Sequence, residues 1–330
     1  MPVTNRRAVI KQVALGSTAA WLTPRSCAAH AAPLSMLTLW GPPATPSVTL
    51  VQAVASGYID WVAEIPSFRS WDSFDTLRAG LKSGRMFASL VPATLAARLY
   101  NNGVSIRLAN IMTEGLLYVV SADPGIASIP DLAGRHLAVP LPGEAPEIVF
   151  TRLLRHHGIR SSDAEISYVG TPADAVESLL AGRVDAAMVL EPAASAAEAR
   201  GREVGMTVQR VIDLTEAWGD MTGGPAILPI AGLAVTDDVY ATAPDAVRPL
   251  QAALRESVRE IRANPSSAAA TAHDALGVPQ SVLAASIPYA RLVARESASL
   301  RGLIETMFRS VSGPDLNEIG GAMPDANFYL

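Results

Sequence analysis

The feature that most constrains the fold is an alternation, from Leu37 onward, of short apolar runs with amphipathic segments. The apolar runs are bounded by turn-forming residues, whereas the apolar residues of the intervening segments recur at helical spacing. This alternation is typical of an α/β protein in which helices connect the strands of mostly parallel sheets. After residue 240 the pattern becomes almost wholly helical. The sequence therefore predicts an α/β fold with a helical C-terminal segment.

The strands and helices follow from the two periodicities and from local start signals. The predicted strands cover residues 37–40, 62–68, 88–91, 106–111, 116–121, 136–140, 166–169, 186–190, 208–214 and 231–236. The predicted helices cover residues 47–58, 73–83, 94–102, 145–157, 172–181 and 192–204. Ser73 can cap a helix with its hydroxyl, and Pro172 suits a first helical turn, where its missing N–H costs nothing.

One unit of this pattern occurs twice, in residues 81–97 and 180–197. In each copy a helix ends at a Gly-Arg turn, a buried strand follows, and Pro-Ala begins the next helix. Such units recur in any doubly wound sheet, so the repeat by itself indicates only two similar α/β units. Ligands of open α/β sheets bind outside the carboxyl ends of the strands. Residues 91–94 and 190–192 are therefore predicted to be matching rims of two facing lobes.

The N-terminus differs in composition from the rest of the chain, because the first acidic residue is Asp60. A basic start, an apolar stretch over residues 13–22 and a run of small residues at 28–32 are typical of a cleaved export signal. The sequence predicts removal of residues 1–32, with cleavage near Ala31 or Ala32. The apolar stretch is short of the roughly 20 residues needed to span a bilayer.

Two export routes remain open for this signal. Arg6 and Arg7, followed by two apolar residues and a lysine after Ala8, resemble a twin-arginine signal. An ordinary secretory signal with two chance arginines is the alternative. Cys27 is a minor candidate for lipidation, since the residues before it lack the apolar side chain that a lipobox requires. Either route predicts an exported, periplasmic protein.

Charge and cysteine content exclude several functions. Removal of the leader takes away Arg6, Arg7, Lys11 and Arg25 and changes the formal net charge from -5 to -9. A body this acidic is a poor nucleic-acid binder. The only cysteine, Cys27, would leave with the leader, and the 5 histidines lack metal-ligand spacing. Neither a G-x-S-x-G nor a G-x-x-x-x-G-K-[ST] motif is present, so we expect no catalytic residue, cofactor or metal.

Several segments in combination resemble a known family. They are residues 39–47, 77–84, 96–103, 129–135, 180–187 and 191–192, which include a D-L-x-G-[KR] pattern and an L-x-x-G-x-x-D-A-A pattern. Over essentially the whole mature chain, the sequence is similar to substrate-binding proteins of bacterial ABC importers of the nitrate/sulfonate/taurine type. That type shares its fold with the thiamine-pyrimidine precursor binding and synthase proteins. Phe87 departs from the family, which usually has an acid there, and we expect its side chain to pack in the core.

The resemblance implies the type II periplasmic-binding fold, in which two doubly wound α/β lobes are joined by two hinge crossings. The crossings are expected near residues 117–122 and 225–232. Lobe one would then comprise residues 36–118 and 233–330, and lobe two residues 119–232. Lobes of this kind close over a ligand by a hinge motion.

Four strand-to-helix turns are expected to border the cleft between the lobes: residues 40–47, 91–94, 142–147 and 190–192. The candidate ligand-binding residues on and beside them are Trp40, Pro43, Thr45, Ser47, Trp71, Pro92, Thr94, Gly143, Glu144 and Glu191. Backbone N–H groups at helix starts favour an anionic or accepting ligand group. Carboxylates in the same turns would repel a simple oxyanion, and the tryptophans offer stacking area, which favours a neutral or cationic, ring-bearing molecule.

Alternatives accompany these assignments. Glu144 and Glu147 could instead complement a helix dipole and face water, and Trp40 and Trp71 could be core residues. The sequence favours a monomeric, non-catalytic receptor that delivers a small molecule to the transmembrane subunits of an ABC permease. An enzyme of thiamine-pyrimidine synthesis on the same fold is less favoured, because the family ties that chemistry to a cysteine-rich motif. A ligand-sensing domain is the third hypothesis, although no DNA-binding or kinase segment accompanies it.

Overall fold

The structure is a computed structural model that describes residues 34–160, 163–237, 240 and 246–330. These residues belong to one compact unit, Ala31–Leu330. The predicted leader, including Cys27 and the arginine pair, lies outside the described residues. Within the described part of the chain, no helix is both long enough and apolar enough to cross a membrane.

The described residues form eleven strands in two sheets. The strands are β1 (Leu37–Gly41), β2 (Pro66–Ser70), β3 (Ala88–Pro92), β4 (Ile106–Thr113), β5 (Leu117–Ser121), β6 (His136–Pro140), β7 (Glu165–Val169), β8 (Ala186–Leu190), β9 (Gln209–Asp213), β10 (Ala231–Thr236) and β11 (Leu292–Glu296). The first sheet has the order β11-β4-β10-β3-β1-β2, and the second has the order β7-β6-β8-β5-β9.

The α-helices cover the faces of the two sheets. Those in the described residues are α1 (Ser47–Ala55), α2 (Phe74–Lys82), α3 (Ala93–Asn101), α4 (Ala145–His156), α5 (Pro172–Leu180), α6 (Ala193–Glu203), α7 (Leu214–Thr222), α8 (Val247–Ala263), α9 (Pro265–Leu276), α10 (Gln280–Ser286) and α11 (Arg301–Ser312). Local signals start several of them as predicted. The hydroxyl of Ser73 accepts from the backbone N–H of Thr76, and Pro172 occupies the first turn of α5 behind a Thr171–Asp174 capping box.

The predicted α/β class and helical C-terminal segment are confirmed, but the expectation of mostly parallel sheets is wrong. β10 is antiparallel to both β3 and β4, β11 is antiparallel to β4, and β5 is antiparallel to both β8 and β9. The physical reason is the chain path. The chain returns from the second sheet as β10, which inserts between β3 and β4. β10 runs antiparallel to both strands, whereas a βαβ crossover would have made it parallel to its neighbour.

Two elements were missing from the sequence prediction. β11 lies in the region predicted to be helical, where the exposed Arg295 and Glu296 interrupt its apolar run. α7 follows β9 directly, and the carboxylate of Asp213 caps it by accepting from the N–H groups of Thr215 and Glu216. Phe87 is also corrected, because it is 39% exposed, and the preceding Met86 occupies the core instead.

The chain passes between the sheets twice. It leaves the first sheet after Thr113 and enters the second at Leu117, and it returns between Thr222 and Ala231. The first passage is therefore residues 114–116, just before the crossing predicted at 117–122, which falls on β5. The proposed lobe limits, 118/119 and 232/233, lie within a few residues of these passages.

A single apolar cluster runs from the first sheet to the second. It includes Val91 of β3, Leu117 of β5, Phe150 of α4 and Trp218 of α7. Separate clusters fill the opposite face of each sheet, under α1, α8 and α9 in the first and under α5 and α6 in the second. The two sheets therefore share one core on the side of α2, α3 and α4.

Gly232 is where β10 approaches β4 most closely. A Cβ at this position would lie 1.9 Å from the carbonyl oxygen of Asn110, which belongs to a strand backbone and cannot rotate away. We expect Gly232→Ala to lower the free energy of unfolding by about 2–4 kcal/mol because the strands must separate. Chemical denaturation measures the change.

The matched control is Gly302→Ala in α11, where an added Cβ meets nothing within 4 Å. This variant should be as stable as the parent or gain up to about 1 kcal/mol, since alanine is the better helix former. Equal stability of the two variants would contradict the close approach at Gly232.

Candidate functional site

The predicted rim turns are brought together in two pairs by the sheets. β1 and β3 are parallel neighbours, as are β6 and β8, so their carboxyl ends lie at the same edge of each sheet. In the first sheet the turns after β1 and β3 lead into α1 and α3. In the second sheet the turns after β6 and β8 lead into α4 and α6. Each sheet thus presents two helix starts at one edge.

The two sheets are in contact beside these edges. Arg78 of α2 donates to the carboxylate of Glu144, which precedes α4, at 2.7 Å. Arg291, just before β11, forms ion pairs with Asp213 at 2.7 Å and with Glu216 at 2.6 Å. These ion pairs join segments on the side of the first sheet to segments on the side of the second, so the two halves are in contact.

Aromatic side chains line the first half of this junction. The indole N–H of Trp71 donates to the hydroxyl of Ser89 at 3.2 Å, and the ring of Trp71 lies 5.7 Å from that of Phe74. The guanidinium of Arg78 lies 5.7 Å from the Phe74 ring. Trp40 of β1 is opposite Ser89 in the strand register. We call Trp40, Trp71 and Phe74 the aromatic cluster.

Trp40 and Trp71 differ in how their polar atoms are satisfied. Trp71 is 6% exposed with its N–H bonded, as expected for a core residue. Trp40 is partly buried, and its buried Nε1 has no hydrogen-bond partner among the described residues. A buried donor without an acceptor costs about 1–3 kcal/mol. Trp40 is therefore the member of the cluster whose polar atom is not satisfied.

The hydroxyl residues of the turn after β1 are used internally. Thr45 Oγ1 and Ser286 Oγ lie 2.8 Å apart, and Ser47 Oγ donates to the carbonyl of Pro42 at 2.6 Å. Thr45, Ser47 and Thr94 are all buried. The hydrogen bonds of Thr45 and Ser47 fix the conformation of the turn after β1. Of the remaining candidates, Pro43 and Gly143 are exposed and Pro92 is partly buried.

Glu191 is 1% exposed and forms an ion pair. One carboxylate oxygen accepts from Arg210 Nε at 2.7 Å, and the other accepts from the hydroxyl of Ser195 at 2.9 Å and from its N–H at 3.3 Å. Burial raises the pKa of Glu191, while the charge of Arg210 opposes the shift. The carboxylate in turn raises the pKa of Arg210 against the effect of burial. Both oxygens of Glu191 are therefore already occupied.

Two tyrosines that were not predicted from the sequence also surround Arg210. The guanidinium lies 3.7 Å from the ring centroid of Tyr289 and 5.5 Å from that of Tyr118. The hydroxyl of Tyr118 donates to the carbonyl of Tyr289 at 2.8 Å, and burial raises the pKa of Tyr118. Because Tyr289 follows α10 and Tyr118 lies on β5, this group also joins the two halves.

The acids of the α4 turn are likewise paired. The side chain of Glu144 is only 15% exposed and contacts Arg78, so it does not simply face water. Glu147 accepts from the N–H of Gly143 at 3.3 Å and from the hydroxyl of Thr151 at 2.7 Å. Glu144 and Glu191 are each neutralised by an arginine, which removes most of the repulsion that the sequence predicted for a simple oxyanion.

The buried Glu191–Arg210 pair gives a stability prediction. Glu191→Ala leaves a buried guanidinium without its main partner and should lower the free energy of unfolding by about 3–5 kcal/mol. Glu177→Ala is the matched control, because Glu177 forms a 2.6 Å pair with Arg200 between α5 and α6 at the surface. The control should leave the melting temperature nearly unchanged. Similar losses in both variants would show that the burial of Glu191 does not matter.

The chain has similarities to known proteins. A family model described as NMT1/THI5 like matches residues 93–268, which is more than half of the chain. No curated protein sequence matches it. An ABC transporter structure from Parabacteroides distasonis has a TM-score of 0.74 at 21% identity, over 89% of this chain and 98% of that one.

Two sulfonate-binding proteins have similar structures. The periplasmic aliphatic sulphonate-binding protein SsuA from Escherichia coli has a TM-score of 0.66 at 16% identity, over 88% of this chain and 93% of that one. The alkanesulfonate-binding protein SsuA from Xanthomonas axonopodis pv. citri, bound to MOPS, has a TM-score of 0.64 at 14% identity, over 89% and 96%. At these identities the structures establish a shared fold. With the family match, they show that the chain belongs to the NMT1/THI5-like family and has the fold of ABC-transporter substrate-binding proteins.

Proposed function

We propose that this protein is an exported solute-binding receptor that captures a small organic molecule between its two lobes and delivers it to an ABC permease. The family match and the fold of the ABC-transporter binding proteins support this role. The observation that carries the proposal is the unpartnered, buried indole N–H of Trp40, which lies at the carboxyl end of β1. Ligands of open α/β sheets bind at this end of the strands.

The aromatic cluster and the charge pairing define the chemistry of the proposed ligand. Trp40 and Phe74 offer stacking surface, and the free N–H requires a hydrogen-bond acceptor on the ligand. Since Glu144 and Glu191 are neutralised by Arg78 and Arg210, neither of these carboxylates calls for a cationic partner. The proposed ligand is therefore a neutral, ring-bearing molecule with an acceptor group. Aliphatic sulfonates, which the two SsuA proteins bind by name, are the competing class.

The proposed mechanism is closure without chemistry. The Arg78–Glu144 pair and the pairs of Arg291 with Asp213 and Glu216 join residues of different sheets, and opening the cleft would break them. A ligand held by both halves binds the closed arrangement better and shifts the population toward it. In this proposal the receptor acts as a monomer, and the permease recognises the closed form.

The ligand proposal is tested by Trp40→Phe, which keeps an aromatic ring and removes the N–H. We expect a panel of neutral heterocycles, pyrimidines, amines and sulfonates to contain a compound that raises the melting temperature of the parent protein. Trp40→Phe should weaken binding of that compound by roughly 3–10-fold, the value of one hydrogen bond. Isothermal titration measures the affinity.

Trp61→Phe is the control, because Trp61 is 83% exposed on the surface. It should bind the compound like the parent. The proposed role of Trp40 fails if Trp40→Phe binds equally well. The receptor hypothesis fails if nothing in the panel shifts the melting temperature and mass spectrometry finds no small molecule co-purifying with the protein.

Export by the twin-arginine route is a separate prediction. Replacing Arg6 and Arg7 together by lysine keeps the charge, so it should block export only if a twin-arginine system reads the pair. Arg25→Lys is the control and should be exported normally. Fractionation and N-terminal sequencing of the exported chain measure the outcome, and cleavage is expected near Ala31 or Ala32. Continued export of the double variant would show that the general secretory route is used.

A further inference from the structure

A second group of charged residues lies between the two halves, at the junction of α4 and α11. A cavity of about 160 Å³ is bounded by Arg152 and Arg155 of α4 and by Ser310 of α11. A second cavity, of about 380 Å³, is bounded by Arg152, by Arg309 of α11 and by the segment after α11. Arg152 borders both cavities. Neither is lined by a residue of the aromatic cluster.

Arg152 lacks a balancing charge. It is partly buried, and no described residue forms a hydrogen bond or ion pair with it. Arg309 is 61% exposed and pairs with Glu305 at 3.1 Å, but Glu305 also accepts from Arg301 at 2.7 Å and is shared between the two. Arg155 is exposed and forms no ion pair within the described part of the chain. A partly buried guanidinium without an anion is unfavourable, so an anion beside Arg152 would be stabilising.

The acid that lines the smaller cavity does not pair with Arg152. Glu147 lines the smaller cavity, but its oxygens accept from Gly143 and Thr151. Its charge also raises the pKa of Tyr168, on which burial acts in the same direction. Glu147 is therefore held on its own helix turn. The hydroxyl of Ser312, which ends α11 next to Gly313 of the larger cavity, is buried and has no hydrogen-bond partner among the described residues.

We propose that Arg152, Arg155 and Arg309 form an anion site that bridges the two lobes, separate from the solute cleft. Guanidinium groups bind carboxylate, phosphate and sulfate oxygens in bidentate fashion, which suits an oxoanion or the acidic head group of a larger molecule. The smaller cavity is below the roughly 300 Å³ of a typical organic ligand pocket, so it fits a head group alone. The larger cavity leaves room for the rest of a molecule whose acidic head group occupies the smaller one.

The position of the site determines its effect. Arg152 and Arg155 lie on α4, which connects strands of the second sheet, whereas Arg309 lies on α11, which follows the last strand of the first. An anion that contacts both helices binds the closed arrangement better than an open one. It therefore stabilises closure, whatever the solute in the cleft.

Inorganic phosphate is the probe for this site. Isothermal titration and thermal shift are carried out on the purified protein, with phosphate compared against chloride at equal ionic strength. We expect phosphate to bind and to raise the melting temperature. Arg152→Gln and Arg309→Gln should each weaken phosphate binding at least fivefold, because the anion contacts both helices.

Arg183→Gln, in the exposed turn after α5, is the matched control and should bind phosphate like the parent. Arg152→Gln should fold normally, since it removes a cation that has no partner, and its melting temperature without phosphate should not fall. The proposal is overturned if phosphate does not bind at millimolar concentrations, or if all three variants bind it like the parent. Loss in Arg152→Gln alone would overturn the bridging role of α11.

Discussion

The structure depends on hydrogen bonds that tie the rim turns to the two chain passages between the sheets. The N–H of Ala93, at the start of α3, donates to the carbonyl of Ile230 at 2.9 Å, and that of Glu191 donates to Leu116 at 3.0 Å. The passages are joined to each other, because Leu228 donates to the carbonyl of Glu114 at 2.8 Å. Each rim turn is therefore tied to one passage, and the passages are tied to each other. The turns at Pro92 and Pro192, in the two copies of the repeat, are held in equivalent ways by opposite passages.

Most strands could be predicted because their physical signal is local. The strands 136–140, 186–190 and 231–236 are short apolar runs between turn residues, and β6, β8 and β10 have those bounds. Strand direction could not be predicted in this way, since pairing depends on which strand the returning chain meets. β10 has the same apolar character as a parallel strand, yet it pairs antiparallel on both sides. β11 was not predicted because the exposed Arg295 and Glu296 interrupt its apolar run, and because its pairing with β4 depends on the fold and not on the local sequence.

The site was predictable in its turns and only partly in its side chains. Trp40 and Glu144 could be named as candidates because they lie at the end of a predicted strand and in the turn after one; their ligand-binding role stays a prediction. Whether a carboxylate in these turns is neutralised depends on residues that are distant in sequence. Arg78, which pairs with Glu144, lies on α2, and Arg210, which pairs with Glu191, lies on β9. A carboxylate in a turn looks the same in sequence whether it faces water, a ligand or a guanidinium. The sequence therefore predicted a cleft with excess negative charge, and the structure shows that its acids are paired.

Because of this pairing, the two proposed sites would bind ligands of different charge. Their affinities would still be coupled, since both ligands would favour closure. The proposed solute cleft is aromatic, and Glu144 and Glu191 are paired with arginines, so a neutral ligand need not displace an ion pair there. Arg152 lacks a balancing anion among the described residues, so the proposed second site would take a ligand of different chemistry. Both ligands would favour the same closed arrangement, and linkage then requires each to raise the affinity for the other by the same factor. The size of that factor is limited by how strongly each ligand alone prefers the closed form. A ligand that binds the open and closed forms equally does not shift the equilibrium between them.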